Sequence, residues 1–157
     1  MKIQVLCVGK TNHPALHLWL PEYLKRLKHY IRIDWIELQE LKNTKNLKVQ
    51  EQKEKEAEKI HKHLLPTDIL VLFDERGQEL SSKKFAALIQ KKMNTGIKNL
   101  VFVVGGPYGF SESVYERAQH RIALSKMTFS HQMVRIFAVE QLYRAFSILH
   151  NEPYHHE

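Results

Sequence analysis

The run Leu100-Val101-Phe102-Val103-Val104 has no polar face. A strand apolar on both sides must be covered on both sides, the condition of a parallel sheet between helix layers. The run stops on Gly105-Gly106-Pro107-Tyr108-Gly109. An apolar strand feeding a glycine turn lets backbone approach a small ligand at the strand's carboxyl end. A second small-residue loop, Leu124-Ser125-Lys126-Met127-Thr128-Phe129-Ser130, precedes a long apolar helix and offers that helix's N-terminal amides. Two such loops, followed by the tail Tyr154-His155-His156-Glu157, point to a cofactor site beside a polar substrate, and so to an enzyme.

Strand and helix patterns alternate along the whole chain, giving an α/β fold with a mainly parallel sheet in a single domain over 1–157. Residues 2–8 form a strand and 9–13 a loop. Pro14 suits the first position of a helix to about Lys28. A strand follows at 32–38. Residues 42–63, rich in Lys, Glu and Gln, make a solvated helix with a thin apolar stripe, ended by Pro66. A buried-type strand at 69–73 closes on the polar turn Asp74-Glu75-Arg76-Gly77. Ser81 or Ser82 caps a helix to about Asn94, stopped by Gly96. Ser111 or Ser113 caps the next helix, with Ser113 and Glu116 at capping-box spacing. After a short run at 121–124, Ser130 caps the final helix, 131–149.

That final helix carries one apolar stripe through Val134, Phe137, Ala138, Leu142, Ala145 and Leu149. A second runs through Ile136, Val139, Tyr143 and Phe146. A helix apolar on most of its circumference is buried on most of it. A second copy of the chain is the simplest cover for the second stripe, so a homodimer is expected.

At 157 residues, with 43% hydrophobic and 26% charged residues, the chain can bury its own core. No segment approaches the ~18–20 apolar residues of a membrane span, and the N-terminus lacks a signal-peptide pattern. A single cysteine, Cys7, placed inside a strand, fits a reducing cytoplasm and a buried small hydrophobe better than a nucleophile. The net charge of +7 favours a nucleic-acid partner, although basic solubility charge would look the same.

Motif spacing excludes several chemistries. The 105–109 turn is neither G-x-G-x-x-G nor a G-K-[S/T] phosphate loop, and alone it could be a tight βα turn. His120 and His131 have no zinc-type partners, so no metal is expected. No G-x-S-x-G elbow supports a serine hydrolase. Glu140 lies four residues before Arg144 and can neutralise it, which leaves Arg135 for an anion.

The 105–109 turn, Leu124-Ser125-Lys126-Met127-Thr128 with His131 and Arg135, Glu140-Gln141-Leu142-Tyr143-Arg144-Ala145, and the ending Pro153-Tyr154-His155 together resemble the RlmH family. These are small SPOUT-class methyltransferases of large-subunit ribosomal RNA, and the likeness spans the chain. The resemblance implies a C-terminal trefoil knot, which general topology rules would argue against. It also implies a homodimer and bound S-adenosylmethionine. The cofactor contacts would fall on Phe73, Gly105 and the backbone of Leu124, Ser125, Lys126, Met127, Thr128 and Phe129. The implied substrate is a pseudouridine in helix 69 of 23S rRNA, methylated at ring nitrogen N3. His155 would orient the base or relay its proton beside Tyr154, and Arg135 and His156 would hold phosphates.

Two positions depart from the family pattern. Ser130 stands where proline is usual, and a serine cap can do similar local work. His156 stands where Arg or Lys is usual, which makes a phosphate contact there weaker and pH-dependent. A tail with few apolar residues frays unless it docks, and in a dimer it could reach the partner's cofactor pocket. The rivals are a non-catalytic RNA- or ribosome-binding module and a SPOUT methyltransferase acting on tRNA.

Overall fold

The computed structural model describes residues 1–42 and 44–156. Its strands are β1 (Lys2–Val8), β2 (Ile33–Leu38), β3 (Ile69–Glu79), β4 (Asn99–Val104) and β5 (His120–Ala123). The helices are α1 (Leu16–Leu27), α2 (Val49–Lys62), α3 (Ser82–Asn94), α4 (Glu112–Arg117) and α5 (His131–Leu149). The strands form one sheet in the order β2-β1-β4-β3-β5, and every pairing is parallel.

The apolar run of β4 divides between two cores, as a strand buried on both faces must. Leu100, Phe102 and Val104 face α1, α3 and α5, where they meet Leu27, Phe85, Ile89 and Leu142. Val101 and Val103 face α2 and α4, against Ala57, Ile60 and Val114. The expected caps form at both ends of the ligand-facing half. Ser81 Oγ accepts from the Lys84 amide and Ser130 Oγ from the Met133 amide, each at 3.3 Å.

Several expectations need correction. Asp74-Glu75-Arg76-Gly77 is not a turn that ends a strand but the irregular middle of β3. Pairing with β5 shifts register between Phe73 and Gln78 and then resumes. The backbone at Gly77 lies so close to β5 that an added Cβ would sit 2.6 Å from the backbone of Arg121 and Ile122. The solvated helix begins at Val49, after a short 3-10 turn at Thr44–Asn46. Asn43, within the stretch read as helix, lies outside the described residues, as does Glu157 at the end of the tail. Ser111 occupies the N-cap position of α4 with extended backbone, whereas Ser113 lies inside the helix, so the capping box does not form.

The two-striped helix also resolves differently. Val139 and Phe146 are completely buried in their own subunit, against the same core as Ala138 and Leu142. Tyr143 packs among Tyr23, Tyr30 and Tyr154. The second stripe is therefore covered largely by α1 and the tail, and it no longer argues for a partner.

Candidate active site

Three stretches converge at the carboxyl ends of the central strands. They are the middle of β3, the glycine turn after β4, and the loop between β5 and α5. With His131 and Val134 from the first turn of α5 they enclose a cavity of about 410 Å³. That is room for a cofactor-sized ligand.

The glycine turn is shaped by its neighbours. The Gly109 amide donates to the Gly106 carbonyl at 3.2 Å, and Gly109 has a φ of +75° that favours glycine. A Cβ on Gly106 would lie 2.8 Å from Glu56 Oε2, and one on Gly105 would lie 3.0 Å from the Phe110 ring. The turn thus lies flat against Glu56 and Phe110 and presents backbone to the cavity. Burial pushes the Glu56 carboxyl above the usual range, although Gln52 and Lys59 pull it down.

The middle of β3 brings both carboxylates and a guanidinium to the cavity, Asp74, Glu75 and Arg76. Asp74 Oδ1 accepts from the Arg76 amide at 2.9 Å, while its Oδ2 is buried with no hydrogen-bond partner among the described residues. Glu75 accepts from Thr128 Oγ1 at 2.7 Å and ties this wall to the second loop. Burial, and then Asp74 beside it, push the Tyr115 hydroxyl up to about 12, so it stays protonated. In the second loop Ser125 Oγ accepts from the Met127 amide at 3.0 Å, a local turn that shapes the backbone. His131 at the rim is held below its ordinary value by burial and by Arg135. Lys53 and Arg76 line the cavity alongside these carboxylates, so both signs of charge face a bare glycine backbone that suits a ligand needing close approach.

Seven of the eight residues expected to hold a cofactor line this cavity: Phe73, Gly105, Leu124, Ser125, Met127, Thr128 and Phe129. Lys126 does not. It is largely exposed, with its ammonium 4.0 Å from Glu79.

The other three expected site residues lie elsewhere. Arg135 was expected to meet a phosphate, yet it is one of the most deeply buried side chains, 1% exposed. Its Nη1 donates to Thr11 Oγ1 and its Nη2 to the Val8 carbonyl, both at 2.8 Å. It fastens the loop after β1 to α5. Thr11 in turn donates its amide to Glu37 at 3.1 Å. Burial opposes ionisation of Glu37, but hydrogen bonds from Thr11 and Trp35 and the charge of Arg135 outweigh it and lower its pKa.

Tyr154 and His155 are docked at the other end of α5. The Tyr154 hydroxyl donates to Glu140 Oε1 at 3.0 Å and lies 3.3 Å from the Tyr23 hydroxyl. The Arg144 guanidinium stacks over the Tyr154 ring at 4.7 Å, bonds Glu140 at 2.6 Å and reaches His155 Nδ1 at 3.4 Å. Arginine only donates, so Nδ1 is the acceptor in that contact. Burial, with Tyr23 and Glu140 adding to it, raises the Tyr154 pKa well above its ordinary value. Cys7, fully buried, is pushed up to about 12 chiefly by burial and has no nucleophilic character.

Sequence reasoning placed Asp74-Glu75-Arg76-Gly77 at a strand's carboxyl end, where ligands bind, but missed that β3 continues through Gly77 and that Phe110 and Glu56 shape the site. A glycine inside a polar stretch that continues a buried strand was the available signal for Gly77. Nothing in the local pattern marked Glu56, which reaches the turn from α2.

Comparison with known proteins agrees with this geometry. A family model described as "Predicted SPOUT methyltransferase" matches residues 1–155. A relative from Christiangramia forsetii, named ribosomal RNA large subunit methyltransferase H, is 55% identical over 99% of both chains. Relatives of the same name from Flavobacterium johnsoniae and Bacteroides thetaiotaomicron are 54% and 52% identical over the whole of both chains. With residues 1–155 matched and more than half the positions shared from end to end, the chain belongs to the SPOUT methyltransferase family.

Proposed function

We propose that this protein methylates N3 of a pseudouridine in helix 69 of large-subunit ribosomal RNA, with S-adenosylmethionine held in the cavity, in the cytoplasm. One observation carries the reading. Seven residues assigned to the cofactor from the motif alone line a single cavity with the glycine turn. The names of the full-length relatives support the substrate class.

The cofactor fits these residues: backbone of the 105–109 turn and of the second loop would hold it, and the Asp74–Glu75 wall suits its positive charge. When bound it supplies a methyl group already activated on a sulfonium sulfur. The protein's task is to hold donor and acceptor in line at a near-attack distance. The imide nitrogen must lose its proton as the methyl arrives, which calls for a base or a relay. Tyr154 stays protonated, so it stacks or hydrogen-bonds and does not act as the base. His155, set on Arg144 through Nδ1, is the residue placed to orient the base or relay its proton.

The tail serves the partner's pocket in a homodimer. It is fixed to Glu140, Tyr143 and Arg144, whereas the pocket is walled by His131 and Val134 of the same helix. Ten residues of helix separate Val134 from Arg144, about 15 Å of rise. The large apolar side chains left exposed on α1 and on the first turn of α5, Leu18, Trp19 and Met133, fit a covering second copy.

Thermal stabilisation by S-adenosylmethionine, with nucleoside analysis of ribosomal RNA from a deletion strain, tests the function. No stabilisation, or loss of a modification from tRNA instead, overturns it. Sedimentation of the intact protein as a monomer at micromolar concentration overturns the dimer.

A further inference from the structure

Beside the cofactor cavity, on the outer edge of the sheet, a second and more open groove of about 690 Å³ runs between α3 and β5. Five of the residues lining it are basic: Arg76, Lys84, Lys91, His120 and Arg121. Among the described residues, no carboxylate lines it. In a chain with 17 Asp and Glu this is a strongly one-signed surface.

The charges come from three elements and converge. Lys84 and Lys91 stand with Leu88 on one stripe of α3, at helical spacing. Arg121 belongs to the edge strand, and Arg76 to the irregular middle of β3. Among the described residues, none of the ion pairs engages Arg76, Lys84, Lys91 or Arg121. His120, half-buried, has its pKa lowered by burial and then by Lys92 and Lys91. Basic residues on an edge strand also discourage edge-to-edge pairing, but that purpose needs no lysines on the facing helix.

The groove is continuous with the cofactor cavity. Arg76 lines both, and the Arg121 guanidinium stacks over the ring of Tyr115, a cavity residue, at 5.1 Å. That stacking holds a cation at the junction.

We propose that this groove carries the sugar–phosphate backbone of the RNA adjoining the nucleotide that enters the cavity, with Arg76, Lys84, Lys91 and Arg121 placed on phosphates. The proposal rests on the ribosomal RNA methyltransferase reading and adds the surface that grips the substrate. Phosphate contacts position an RNA without reading its sequence, so the groove sets affinity and register and leaves base choice to the cavity.

The test compares Lys84→Gln/Lys91→Gln/Arg121→Gln with Lys45→Gln/Lys48→Gln/Lys62→Gln, which removes the same charge elsewhere. Transcribed large-subunit rRNA is titrated at several salt concentrations, and S-adenosylmethionine is titrated by calorimetry. The groove variant should lose at least about tenfold in RNA affinity. Its slope of log affinity against log salt should flatten by about two to three, near 0.7–0.9 per lost phosphate contact. Its affinity for S-adenosylmethionine should stay within about twofold, and the control variant should bind RNA nearly as the unmodified protein does. Equal losses in the two variants would overturn the proposal. So would a loss seen with whole ribosomes but not with naked rRNA, which would assign the groove to an acidic protein surface. Unmodified protein that binds rRNA through these lysines yet transfers no methyl group would refute the activity while supporting the groove.

Discussion

The two ends of α5 do opposite things. At its N-terminal end the Ser130 cap and the residues around His131 open onto a cavity lined by bare backbone and by an Asp74 oxygen with no hydrogen-bond partner among the described residues. At its C-terminal end every group named for chemistry is already engaged. Tyr154 bonds Glu140, Arg144 lies on Tyr154, and His155 meets Arg144. One end presents backbone and carboxylates to an open cavity, and the other closes aromatic and charged side chains on one another; the proposed dimer would bring the second to the first.

Four measurements would break or sharpen that contrast. The largest effect belongs to the tail. His155→Ala should lower methylation of ribosomes by about 10²–10⁴-fold while leaving S-adenosylmethionine affinity within a few-fold. Mixed dimers pairing a Gly105→Val chain with a His155→Ala chain should recover activity at one of two sites. Inactive mixed dimers would place both halves in one chain.

Next is the cavity itself. Gly105→Val should abolish detectable cofactor binding in a folded protein, checked by calorimetry and circular dichroism. Its first added carbon would already crowd the Phe110 ring at 3.0 Å, so Gly105→Ala with Phe110→Leu separates loss of ligand space from displacement of the ring. Recovery of binding in that double variant would trace the effect to the ring.

A smaller effect tests the boundary between the ends. Arg135→Met should cost roughly 2–3 kcal/mol of stability in denaturant melts, since it strips partners from the buried Thr11 hydroxyl and the Val8 carbonyl. Unchanged stability with weakened RNA binding would restore it as a phosphate ligand.

The smallest concerns pH. The Glu56 carboxyl binds its proton more tightly in the folded protein than in the unfolded chain. Its contribution to stability is therefore greatest in acid and declines as pH climbs from the ordinary carboxylate range through the raised value. Glu56→Gln should remove that decline and stabilise the protein modestly at neutral pH. A steeper decline in the variant would contradict the burial argument.

The sheet and its ligand-facing end were legible because each rests on local pattern. The unbroken apolar run of β4 demanded two covered faces, and Ser81 and Ser130 announced their helices. What escaped was set by distant chain. Residues 74–77 look like a turn because four polar residues follow an apolar strand, and only pairing with β5 keeps them extended. Val139 and Phe146 looked surplus to one core because the α1 residues and Tyr30 that they pack with are far away in sequence. Arg135 looked available because its partners, Thr11 and Val8, lie more than 120 residues earlier. Amphipathic period tells which face is apolar, not what covers it.

That last pair of contacts has a consequence in time. A chain leaves the ribosome N-terminus first, and β1 with the loop after it is made at the start. The carbonyl of Val8 and the hydroxyl of Thr11 wait for a guanidinium translated near the end. β1 likewise waits for β4, which flanks it opposite β2. The first strand therefore cannot reach its final surroundings until nearly the whole protein has been synthesised. Closure of the core is a late event dominated by contacts between remote residues, a class of topology that folds slowly. Truncated products lacking α5 would emerge with their first loop open and β1 short of a face.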